Sequence, residues 1–132
     1  LRVPALARYP GHIKPGSVLG QPCWSPDLLI AAVKLAGAKM PADRTYDGKN
    51  PLRILTDNES SPHHSFYFEY RTHAALRRHQ WKIVREQPDQ AWKLFDLSRD
   101  ISESQNLAAQ QSVIVGKLAG EFQWKKTKLE SE

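Results

Sequence analysis

The sequence contains one cysteine, Cys23, which excludes an internal disulfide framework and leaves the redox compartment open. It also contains one methionine, Met40, and begins at Leu1, from which sequence upstream of Leu1 is expected. No apolar run approaches the roughly 18 residues that span a bilayer, and no signal peptide is visible, so no membrane partner is expected. Charge of one sign is scarce too. The 19 Lys and Arg against 14 Asp and Glu leave +5, with a sequence pI near 9.5, but these residues are scattered. Only Trp124-Lys125-Lys126-Thr127-Lys128 is a basic cluster, read as a solvated helix end. Repeats and low-complexity segments are absent.

What is present is ordinary for a globular chain rich in turns: 132 residues, 40% hydrophobic and 25% charged, with nine prolines and seven glycines. The opening residues, Leu1 to Tyr9, are apolar without clear alternation and predict a strand buried on both faces. Pro10-Gly11 and Lys14-Pro15-Gly16 signal a loop running to about Pro22. Ser25-Pro26-Asp27 then predicts a helix start, with a hydroxyl cap, proline in the first turn and a carboxylate at the positive end of the dipole. Leu28, Leu29, Ala32, Val33, Leu35 and Ala36 follow at helical spacing up to Gly37, so this helix is expected to be mostly buried. Asp47-Gly48 reads as a turn, and Asn50-Pro51-Leu52 as a cap before a short helix.

From Phe66 the apolar period changes to two, which predicts strands at Phe66–Tyr70, Ala74–Arg77, Trp81–Arg85 and Trp92–Leu97, joined as an antiparallel meander. Asp100 with Glu103 has capping-box spacing. Ser112 is expected to cap a final helix with the apolar stripe Val115, Leu118, Ala119 and Phe122. The fold class is therefore α+β, an antiparallel meander sheet packed with a C-terminal helix and preceded by a strand and a helix.

Several stretches in order carry a resemblance. They are Arg2-Val3-Pro4-Ala5-Leu6-Ala7-Arg8-Tyr9-Pro10-Gly11, Asp27-Leu28-Leu29 leading into Lys34-Leu35-Ala36-Gly37, Asp47-Gly48, Trp81-Lys82-Ile83-Val84, and Leu94-Phe95-Asp96-Leu97-Ser98-Arg99-Asp100 followed by Glu103 and Asn106-Leu107-Ala108. Together, from Arg2 to about Lys126, the chain resembles the C-terminal region of the sulfatase (arylsulfatase) family, itself similar to the alkaline phosphatases. The resemblance implies that residues 1–56 end a large α/β domain, with strand, loop and buried helix, and that residues 57–132 form a C-terminal sheet-and-helix subdomain. It further implies a parent hydrolysing sulfate esters, with calcium or magnesium beside a formylglycine made from Cys or Ser in a C-x-[PA]-x-R motif. The geminal diol of that aldehyde attacks the ester, and the metal and basic side chains stabilise the developing charge.

Cys23-Trp24-Ser25-Pro26-Asp27 does not carry that motif, because the proline is one place late and an aspartate stands where the arginine belongs. Cys23 is therefore expected to be a packing residue. The family's metal and sulfate ligands belong to regions that precede Leu1, so no catalytic and no metal-binding residue is assigned, and the chain alone is expected to be inactive. Ile30-Ala31, His79-Gln80 and Asp100-Ile101 replace the family's usual Pro-Thr, glycine and Asp-Pro, which points to relaxed constraint.

Among the five histidines none forms an i, i+4 pair, and His63-His64 point to opposite sides of an extended segment, so surface or turn positions are expected. His73 is the substrate-rim candidate, since the loop after the first meander strand in the family faces the cleft. Trp81, Trp92, Phe66, Phe68 and Phe95 with nearby Arg77, Arg78, Lys82 and Arg85 offer a stacking surface for single-stranded nucleic acid, but their alternation favours a core. The expected partner is the missing N-terminal sulfatase domain or, for a stand-alone small protein, a second copy joined through Val3-Ala7. Family habit suggests a periplasmic, secreted or lysosomal location.

Overall fold

A computed structural model describes residues 3–131. The chain divides into two units, Leu1–His63 and His64–Glu132.

In the second unit the period-two segments form β1 (Phe66–Tyr70), β2 (His73–Arg78), β3 (Trp81–Arg85) and β4 (Lys93–Asp96), a four-stranded antiparallel sheet in sequential order. Register sets Tyr67 opposite Leu76, Leu76 opposite Ile83, and Ile83 opposite Leu94, so one continuous row crosses all four strands. Helix α3 (Ser112–Glu130) lays Leu118 and Phe122 on that face. Leu76, Ile83 and Leu94 are fully buried, and Val115 and Ala119 complete the stripe. Phe122 stacks on Tyr67 at 4.7 Å and meets Trp92 edge-on at 5.1 Å, while the Arg85 guanidinium lies 4.5 Å from the Trp92 ring centroid. Trp81 and Trp92 pack against this core, whereas Phe66, Phe68 and Phe95 lie on the opposite face of the sheet, Phe66 and Phe95 buried and Phe68 half-buried.

Polar fasteners ring the core. Glu121 accepts from Ser65 Oγ and from Arg78 at 2.9 Å, and Glu69 accepts from Lys126 at 2.6 Å and from the Tyr67 hydroxyl. Lys126 chiefly, then Tyr67, holds the Glu69 carboxyl below its ordinary range, and burial foremost pushes the Tyr67 hydroxyl up.

Both tight hairpins use a non-glycine residue at positive φ, Arg71 at 55° and His79 at 52°. His79 stands where the resemblance expects glycine, and an L-residue there costs about 1–2 kcal/mol against the conformational freedom glycine loses on folding. His79→Gly is expected to raise stability by about 0.5–1 kcal/mol in urea denaturation, and a loss of stability would contradict this.

The first unit holds α1 (Pro26–Leu35) and α2 (Leu52–Asp57). Gly37, at φ 66°, ends α1 in a Schellman motif: its N–H donates to Lys34 and that of Ala38 to Val33. Asn50 Oδ1 accepts the Leu52 N–H at the start of α2, as the sequence indicates.

Four expectations are corrected here. Residues 3–7 form no strand, because no neighbouring strand offers them a ladder, and Val3 and Leu6 are 83% and 103% exposed. Helix α1 is not mostly buried: only Asp27 and Ala31 are buried, Ile30 and Val33 are half-buried, and Leu28, Leu29 and Leu35 are exposed because nothing in this unit covers them. Ser25 does not cap α1 through its hydroxyl, since it already has helical φ and ψ, and Trp24 one residue earlier takes the cap role. Ser112 is the first residue of α3, and Gln111 precedes it as cap residue without a side-chain cap bond.

Candidate functional site

The first unit carries a buried, hydrogen-bonded aspartate–histidine pair that its sequence does not announce. Pro26 opens α1 and turns Asp27 inward, where it is 1% exposed. Its Oδ2 reaches back to the Trp24 N–H at 3.2 Å, the reciprocal half of a capping box. Its Oδ1 accepts the Lys49 N–H at 2.8 Å and His63 Nε2 at 2.8 Å. The imidazole donates through Nε2, because a carboxylate only accepts. Trp24 closes over His63 edge-on, with ring centroids 5.8 Å apart. Gly48 brings the Asp47-Gly48 turn close enough to present Lys49: a Cβ there would sit 2.3 Å from the Pro26 carbonyl oxygen.

An aspartate that orients a histidine is the geometry that prepares a general base. Here the His63 side chain is only 5% exposed, so it meets no substrate. Cys23 does not complete a nucleophilic set either: although the residue is exposed, partial burial of its thiol first and the Asp27 charge second push it up, against thiolate formation. The constellation is a clasp that joins residues 24–27, 48–49 and 63 of one unit, and it makes chain ends meet that no helix or sheet holds. Cys23 itself is exposed, which corrects its expected packing role; the apolar residues around it make no core. His63 is also corrected from a surface or turn residue to a buried partner, while His64 is exposed as expected.

His73 is the first residue of β2, exposed and opposite Tyr70. Tyr70 is exposed as well, with the Arg71 guanidinium 5.3 Å from its ring centroid, so the hairpin tip presents an aromatic ring, a cation and an imidazole to solvent.

The segment after β4, which carries the most recognisable run of the sequence, is a set of staples. Asp96 Oδ1 accepts the Ser98 N–H and hydroxyl, and Asn106 Oδ1 accepts the N–H groups of Leu94 and Ala108. Asp100 accepts the Ser102 and Ser104 hydroxyls and the Gln105 N–H, instead of forming a capping box with Glu103, whose carboxylate is taken by Lys82. The Gln105 N–H first, then that of Ser104, hold the Asp100 carboxyl at about 2, below its ordinary 3.8. A folded value below the unfolded one contributes stability above about pH 4, and this is lost as pH falls toward 2. Protection of the Gln105 amide in hydrogen exchange is expected to collapse across that window, and an amide equally protected at both ends would contradict the staple.

Among the described residues no group of three or more His, Cys, Asp or Glu gathers to hold a metal. With Cys23 outside the C-x-[PA]-x-R pattern, these residues do not fit the calcium or magnesium site or the formylglycine that the resemblance implies, and no step of that chemistry is assigned to them. No helix among the described residues is long and apolar enough to cross a membrane.

This architecture, a meander closed by one helix, is shared with the C-terminal region of sulfatases. The family model for N-sulphoglucosamine sulphohydrolase, C-terminal, matches residues 1–128, and the chain belongs to that family. It is 34% identical over 95 residues to rat (Rattus norvegicus) steryl-sulfatase, covering 72% of this chain and 16% of that protein. It is 32% identical over 108 residues to mouse (Mus musculus) N-acetylgalactosamine-6-sulfatase, covering 82% and 21%. The crystal structure of Ps i-CgsB superposes with a TM-score of 0.74 at 27% identity, over 87% of this chain and 26% of that one. A structure of BT4656 with its substrate D-glucosamine-2-N,6-O-disulfate shares the fold at a TM-score of 0.67 and 21% identity, over 95% and 28%. The chain thus spans about a fifth of the length of the curated relatives named here.

Proposed function

We propose that this chain is the C-terminal part of a sulfatase, and that it completes the fold and borders the cleft of a parent that hydrolyses sulfate esters. The family match over residues 1–128 carries the reading. The staples support it, because they give the family-like residues Asp96, Asp100 and Asn106 structural work and leave catalysis to other residues. Formylglycine, its metal and the sulfate ligands then belong to the rest of the parent, which family habit places in the periplasm, outside the cell or in the lysosome. Within this chain the rim candidate is His73, beside Tyr70 and Arg71 on the same hairpin tip.

The test is hydrolysis of 4-methylumbelliferyl sulfate by the 132-residue chain and by the longer native product, each incubated with calcium and with magnesium. Turnover is expected only from the longer protein. Turnover by the short chain would overturn the assignment of catalysis elsewhere.

One observation favours a second reading, a stand-alone sulfatase-derived protein that associates with copies of itself. Val3, Leu6, Leu28, Leu29 and Leu35 are exposed in the first unit, and exposed apolar side chains gain by burial against a partner. A concentration-dependent dimer in analytical ultracentrifugation, abolished by Val3→Asp with Leu6→Asp, is the outcome that reading requires.

A further inference from the structure

The two edges of the sheet differ. Hydrogen bonding alternates along an antiparallel strand, and the two-residue turn Arg71-Thr72 makes Tyr70 and His73 a bonded pair. Phe68 with Ala75 and Phe66 with Arg77 follow in phase, so Tyr67 and Glu69 turn their N–H and C=O groups away from β2. The same alternation carried across the sheet turns Leu94 outward from β4, and that edge is closed. The Leu94 N–H donates to Asn106 Oδ1, and its carbonyl accepts the Leu107 N–H. On β1 no such closure is made: among the described residues, the outward main-chain groups of Tyr67 and Glu69 have no hydrogen-bond partner.

An open edge is a template for another strand, and edges kept from pairing carry a proline, a lysine or a bulge. The strand Phe66-Tyr67-Phe68-Glu69-Tyr70 has none of these, and its register against β2 is unbroken. Its one charge, Glu69, lies on the α3 face, paired with Lys126 at 2.6 Å.

We propose that β1 pairs with β1 of a second copy, antiparallel about a two-fold axis at Phe68. The strand itself selects this register. All five of its residues overlap, and Tyr67 falls opposite Glu69 of the second copy. Both residues turn their main-chain groups outward, so each such pair exchanges both of its hydrogen bonds. An axis at Glu69 would set like charges directly opposite, and an axis at Tyr67 would leave Glu69 and Tyr70 beyond the end of the partner strand. The two four-stranded sheets then become one continuous sheet, and the isologous contact closes at two copies. The inference stands on the second unit alone and depends neither on the sulfatase reading nor on Val3 and Leu6.

Sedimentation equilibrium of the 132-residue chain over a concentration series, with hydrogen exchange read at both ends of the series, tests the pairing. A dimer is expected. As it forms, exchange of the Tyr67 and Glu69 amides is expected to slow, whereas the Phe68 amide, held by β2 in both states, does not change. Glu69→Pro removes one outward N–H, a position where an edge strand tolerates proline, and is expected to stay monomeric at concentrations where the wild type dimerises. Glu69→Ala loses the same contact to Lys126 but keeps the N–H, and is expected to dimerise like the wild type. A chain monomeric throughout, a dimer whose Tyr67 and Glu69 amides exchange as in the monomer, or a folded Glu69→Pro variant that still dimerises would overturn the proposal. Protection of both amides at every dilution would overturn it too, because another segment of the same chain would then occupy the edge. Hydrogen exchange of the wild type decides the matter even where Glu69→Pro does not fold.

Discussion

Asp27→Ala is expected to destabilise the first unit by about 3–5 kcal/mol, because it removes a buried carboxylate and leaves its donors unpaired at about 1–3 kcal/mol each. The substitution takes away three acceptor contacts at once, to Trp24 N–H, Lys49 N–H and His63 Nε2. All three donors then face an apolar side chain, and an unsatisfied buried donor costs more than its hydrogen bond contributes. The unit has little else to hold it, since Ala31 and Ile54 are its buried hydrophobic residues. Hydrogen exchange at the Trp24 and Lys49 amides reads the effect locally. Asp27→Asn separates charge and acceptor loss from cavity formation, because it keeps the volume while turning one acceptor into a donor. It is expected to lose protection at the same two amides. Wild-type protection in both variants would show that the clasp holds nothing.

Phe122→Ala is expected to cost about 3–5 kcal/mol in the second unit, as large-to-small changes of a buried aromatic do. Phe122 is 1% exposed and lies between Tyr67 and Trp92, so truncation opens a cavity and breaks two ring pairs. Each aromatic pair contributes about 0.5–1.5 kcal/mol beyond burial, which places this position at the upper end of the range. For a domain of this size the melting temperature is expected to fall by about 12 °C or more. Phe122→Leu, which keeps most of the volume, is expected to fall by less than half as much. A drop of only a few degrees for Phe122→Ala would mean that α3 does not close the sheet through this residue.

The second unit is the part that local chemistry makes legible. Alternation in Phe66–Tyr70 and Trp81–Arg85 gave those strand limits as observed, and the Val115, Leu118, Ala119 and Phe122 stripe placed α3, because both periodicities record which side of an element is dry. The hairpin between β1 and β2 was equally readable, although β2 begins one residue earlier, at His73.

The first unit was legible in pieces and misread in assembly. Its apolar opening residues and α1 carry the composition of buried elements, and composition reports what a segment prefers without supplying the surface that would bury it. The clasp was missed for a different reason. Asp27 had a sufficient local explanation as a charge at a helix start, and His63 lies 36 residues away in a turn-rich stretch with no period linking the two. The available signal was the pairing of a lone acid beginning an apolar helix with a glycine turn at Asp47-Gly48, and it named neither partner. Cys23 was read correctly as outside the modification motif and incorrectly as packed, because motif spacing is written in the chain and exposure is not.

The central claim, that these residues serve as the end of a sulfatase, is tested most directly by the size of the native product in its source cell. An immunoblot with an antibody raised against α3, followed by mass spectrometry of the captured band, gives the answer. The account predicts a single polypeptide several times larger than 15.0 kDa, with peptides of this chain at its C-terminal end. A sole product of 15.0 kDa, with no larger species carrying these peptides, would contradict it.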